Sequence, residues 1–143
     1  MAIDEELGFT AEHAHIATDR LRLPIQNCLN DFDLSVVLTA LTQVFFGTLY
    51  DAGLDEKHVK SWTKKVMKLA GKPSKKSVNT AVTSISEPVN YLIINANINP
   101  LAICFSIATA MSSIVRQVVS DESADQFMAA LISHIDKART AEH

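Results

Sequence analysis

The 143-residue sequence is poor in residues that turn a chain: four glycines and four prolines. An all-β domain needs a turn about every 8–12 residues, and these two residues supply many of them. A sandwich or small barrel is therefore excluded. Cysteine is scarce as well, and Cys28 and Cys104 can form one pair but no disulfide framework. The glycines at 8, 47, 53 and 71 stand alone, which removes any glycine-rich phosphate loop. Gly47, inside a helix, is expected to permit close helix approach. Charged residues are only 20% of the chain. Two stretches have none, 34–50 and 88–115. Neither reads as a membrane span. The apolar run 101–115 is shorter than the ~20 residues a span requires. Extending it upstream brings in Asn90, Asn95, Asn97, Asn99 and Pro100, which are costly in lipid. The first residues carry Asp4, Glu5 and Glu6 and no basic segment, so a signal peptide is not expected and a cytoplasmic location is.

What remains is helical patterning. Thr10 reads as the N-cap of a helix over about 11–21 that Pro24 stops, with a further turn or two over 25–30. Asp33 caps a long apolar helix over 34–52, closed by Gly53. Asp55 caps an amphipathic helix over 56–70, closed by Gly71. After a loop over 71–76, Ser77 caps a helix carrying Val78, Val82, Ile85 and Val89, which Pro88 interrupts; 89–94 reads as helix or extended chain. Asn99 as N-cap with Pro100 in the first turn opens a helix over 100–119. The last helix runs over 121–139, with Lys137 and Arg139 favourably placed against its C-terminal dipole. The expected fold is all-α: a compact bundle of five or six helices, built from two αα-hairpins around the apolar helices 34–52 and 100–119. One helical domain over 10–140 follows a flexible acidic N-terminus over 1–9. Phe105 belongs to the expected centre of the core.

The two apolar helices have an unusual outer face. At about 100° per residue, Ser35, Thr39, Thr42 and Gln43 share one face of the first, and Ser106, Thr109, Ser113 and Gln117 share one face of the second. A solvated helix would carry Lys or Glu there. Hydroxyls and amides suit a face covered either by this chain or by a second copy. Thr39, Thr42, Ser106, Thr109 and Ser113 are thus a candidate oligomer face, and a homodimer is expected.

Charge is unevenly spread along the chain. The formal net charge is −3, yet residues 55–76 sum to +6 and the rest to −9. Lys57, Lys60, Lys64 and Lys68 form one stripe of the 56–70 helix, opposite Val59, Trp62, Val66 and Leu69. With Lys65 and Lys72 they make a candidate partner-binding face. Such a face suits an anionic partner, a protein with an acidic surface or DNA. Gly53 followed by Leu54, Val59 and Trp62 also has the turn and spacing of a helix-turn-helix, in which Lys57, Lys60, Ser61 and Lys64 would meet a groove.

Chemistry has little purchase. Glu12 and His15, and Asp55 and His58, have the i, i+3 spacing of di-iron bundles, but the apolar helices supply no further carboxylate. No metal or cofactor is expected. Cys28 and Cys104 read as packed, inert thiols. The expected function is that of a small non-enzymatic adaptor, regulator or inhibitor that binds another macromolecule. A DNA-binding regulator using helix 56–70 is the alternative. A small-molecule sensor with a pocket between the apolar helices is the second alternative.

Overall fold

A computed structural model describes residues 8–50 and 57–141. Among these, six helices pack as a bundle with no strand: α1 (Ala11–Asp31), α2 (Leu34–Tyr50), α3 (Lys57–Ala70), α4 (Lys75–Ile94), α5 (Pro100–Val115) and α6 (Asp121–Ala141). Helices α2 and α3 pack as one pair and α5 and α6 as another, while α4 packs on α2, and α1 packs on α4 and α5. The expected caps Asp55 and Gly53 lie outside the described residues.

Helix α1 is capped as the sequence implies, with Thr10 Oγ1 accepting from the backbone N–H of His13 at 3.2 Å. It does not stop at Pro24. The helix runs unbroken to Asp31 because Leu21, Ile25 and Cys28 continue one buried line across the proline. A mid-helix proline costs about 3 kcal/mol. Each fully buried Leu or Ile returns about 1.5–3 kcal/mol, so packing on both sides wins. Helix α4 repeats the lesson at Pro88: Ile85, Val89 and Leu92 are all buried, and the helix continues to Ile94. Its cap is Ser74 rather than Ser77, whose own N–H donates to Ser74 Oγ.

Asn99 begins α5 as expected. Its side-chain oxygen accepts from the N–H of Leu101 at 2.9 Å, its amide group donates to the Gly8 carbonyl, and its backbone N–H donates to His13 Nδ1 at 3.0 Å. One residue thus ties the chain before α1 to the start of α5. Helix α5 ends at Val115, short of 119. Residues 117 and 118 make tight i→i−3 bonds, and Arg116 reaches forward to Asp121 and Asp125, fixing the entry to α6. Phe9 is part of the fold: it is buried and meets the Phe105 ring at 5.4 Å. Phe105 is itself only partly buried.

The centre of the bundle is α2. Between Ser35 and Leu49 only Gln43 and Gly47 are exposed. Neighbours α1, α3, α4 and α5 surround it, and Phe45 and Phe46 are fully buried edge to face at 4.9 Å. Gly47 serves no close approach, since a Cβ there would meet nothing within 4 Å.

Candidate basic docking face

Helix α3 is amphipathic, and the bundle uses one side of it. Trp62 and Val66 are buried and Val59 and Leu69 partly so. Their i, i+3, i+7, i+10 spacing turns the opposite side outward. Lys57, Lys60, Lys64, Lys65, Lys68 and Lys72 are all exposed there. Lys75 and Lys76, in the first turn of α4, extend this surface. Among the described residues no carboxylate pairs with Lys60, Lys64, Lys68, Lys72, Lys75 or Lys76; the recorded ion pairs use His15 and arginines instead. Lys65 differs from its neighbours, because its ammonium sits 4.5 Å from the centre of the Trp62 ring. That cation–π contact holds Lys65 toward the seam with α6.

What holds the face in place was not read from the sequence. Trp62 Nε1–H donates to His134 Nε2 of α6 at 2.9 Å, and both side chains are buried. Phe127 meets the indole edge-on at 5.0 Å, while Phe46 and His58 flank the imidazole at 5.2 and 4.7 Å. Because Nε2 accepts, the neutral ring carries its proton on Nδ1, which has no partner. Burial pushes the His134 pKa down to about 4, with His58, Lys137 and Lys65 adding repulsion. A signal for this residue did exist. Leu131, Ile135 and Ala138 are buried on the same line of α6, so His134 stands at a core position of an amphipathic pattern.

The candidate oligomer face divides. Thr39, Thr42 and Ser106 are buried inside the chain. Thr42 donates to the Leu38 carbonyl at 2.7 Å, and Ser106 lies 2.9 Å from Thr18 Oγ1 and 3.2 Å from the Ala14 carbonyl. Thr109 and Ser113 remain exposed. They line an apolar groove of about 250 Å³ between α1 and α5, with Leu21, Ile25 and Ile114 among its other walls. This groove uses one of the two apolar helices, not both.

The remaining candidates have structural partners. His15 faces Asp19 on its own helix at 3.4 Å, and both are exposed. Among the described residues no three His, Cys, Asp or Glu side chains converge as metal ligands. Cys28 and Cys104 are both buried and not joined in a disulfide, and the Cys104 thiol donates to the Phe45 carbonyl. Burial, and then Asp31, pushes the Cys28 thiol upward, away from the reactive thiolate. No helix among the described residues is long and apolar enough to cross a membrane. No protein-family model, curated protein or solved structure matches this chain.

Proposed function

We propose that this chain is a small non-enzymatic interaction protein that docks an acidic surface of another protein on the lysine face of α3. One observation carries the reading. A chain of formal charge −3 displays Lys60, Lys64, Lys68, Lys72, Lys75 and Lys76 together, exposed and without a carboxylate partner among the described residues. Like charges spaced three or four apart on a helix repel, and an acidic surface relieves that repulsion. The face is also held on a firm seat by Trp62, Val66 and His134. A reducing cytoplasmic setting belongs to the same proposal.

DNA fits less well. A helix-turn-helix lays its first helix across the phosphate backbone. Here that helix would be α2, which is enclosed by four other helices. The face also offers lysines and one serine, which can meet guanine, but no Asn or Gln side chain to read adenine. Insertion of α3 into a membrane surface is opposed by the same packing, because its apolar side is turned into the core.

Titration calorimetry with poly-glutamate at low ionic strength tests the reading. The wild-type chain binds, binding weakens steeply with salt, and Lys64→Glu with Lys68→Glu abolishes it. Lys137→Glu, a similar charge change on α6, leaves most of it. Retention of full affinity by the α3 double variant removes the proposal.

A further inference from the structure

The pattern of the α3 face points to the form of its partner, and the argument rests on the docking reading above. At about 100° per residue, Ser61, Lys64 and Lys68 fall within about 60° of one another, in line with Lys57 one turn earlier. Their i, i+3, i+7 spacing is the seam along which a second helix lies against a first. All of these residues are exposed, and Lys60, Ser61, Lys64, Lys65 and Lys68 line one shallow hollow. Ser61 is the smallest side chain on the line, so backbone approach is easiest there. Lys60 and Lys65 flank the seam on either side, in the manner of charges beside a helix–helix contact. The run from Lys57 to Lys68 covers about 16 Å, three helical turns.

We propose that the partner element is an acidic α-helix, which lies along α3 on the Ser61–Lys64–Lys68 line and carries its carboxylates on one face at three- and four-residue spacing. Lysine suits this partner. Its ammonium is a compact charge on a flexible stem and does not demand the planar, two-pronged geometry of arginine. A carboxylate one turn along the incoming helix therefore meets each ammonium without a fixed fork. Charged contacts of this kind are solvated at their edges, so the complex is fast to form and sensitive to salt.

The test uses the full chain and two helix-stabilised peptides of about 18 residues. They have identical composition. One places its glutamates on a single face at i, i+3, i+7 and i+11, and the other spreads them around the helix. Fluorescence anisotropy at ~50 mM salt reads affinity. The one-face peptide binds ~10-fold more tightly than the scattered one. Lys64→Glu weakens it ~10-fold, whereas Lys76→Glu, the same charge change off the seam, weakens it less than ~3-fold. A peptide with one facing Glu replaced by Lys restores binding to Lys64→Glu and fixes the register. Equal binding of the two peptides overturns the helical partner while leaving the acidic docking face standing. Failure of both peptides to bind overturns both readings. A duplex DNA that outcompetes both peptides assigns the face to nucleic acid and overturns the helix.

Discussion

Trp62 and His134 are 72 residues apart in sequence and share one hydrogen bond of 2.9 Å between indole and imidazole. The bond couples α3 to α6 through a group that titrates. Its folded-state pKa lies near 4, below the ordinary value of 6.5. As pH falls through about 6.5 the unfolded chain takes up the proton first. This contribution to stability is thus complete above about 6.5 and is lost progressively toward 4. Its full size is on the order of 3 kcal/mol. The charges facing the ring are His58 and Lys65 of α3 and Lys137 of α6, all of which oppose protonation. Urea melts followed by tryptophan fluorescence should show a steeper loss between pH 7 and 4.5 in wild type than in His134→Gln. Parallel pH curves for the two proteins refute the linkage.

Phe46→Ala should cost about 3–5 kcal/mol, since its ring is fully buried among Phe45, Trp62 and His134. Phe105→Ala should cost clearly less, because that ring is only partly buried and packs on Phe9 near the edge of the bundle. Lys64→Ala should stay within about 0.5 kcal/mol. Denaturant melts rank the three, and a Phe105 variant weaker than the Phe46 variant would move the centre of the protein from α2 to α5.

Gly47→Ala should stabilise by about 0.5–1 kcal/mol. The position is helical and exposed, and a methyl group there meets nothing within 4 Å. The gain comes from the entropy glycine loses on entering a helix. A lowered melting temperature would show that the open groove beside Gln43, Thr48 and Ser86 needs the glycine.

Thr42→Glu should unfold the chain or cost about 3–5 kcal/mol, because it places an unpaired charge at a fully buried site. Thr109→Glu should leave the fold intact, since Thr109 is exposed on the rim of the α1–α5 groove. Sedimentation of Thr109→Glu beside wild type then asks whether that rim joins two copies. A self-associating wild type and a monomeric variant are the outcome expected if that rim joins two copies.

Much of this fold was legible. Asn99 and Pro100 gave the start of α5, Gly71 closed α3 with its positive φ of +96°, the uncharged stretch 34–50 became α2, and 88–115 became the end of α4, a turn and α5. Pro24 and Pro88 misled because a proline's local cost is visible in sequence, whereas the burial of Ile25 and Val89 that outweighs it is not. The lysine face was readable, since helical spacing alone gathers Lys57, Lys60, Lys64 and Lys68. Its seat was not: His134 meets Trp62 only after α6 folds back on α5 and α3 packs on α2. The groove between α1 and α5 was hidden for the same reason, since no local pattern tells which helices neighbour each other.

Eight of the nine lysines lie between 57 and 76, while the four arginines lie elsewhere. Each arginine contacts a neighbour: Arg20 over Tyr91, Arg22 with Asp19, Arg116 with Asp121 and Asp125, and Arg139 with Asp136. Amine-reactive reagents will therefore modify this molecule almost entirely on one side. A sensor surface prepared by amine coupling will hold the protein α3-down, with its basic face against the matrix. Immobilisation through an engineered C-terminal tag leaves that side open to solution, and the difference in response between the two orientations is itself a map of where a partner lands.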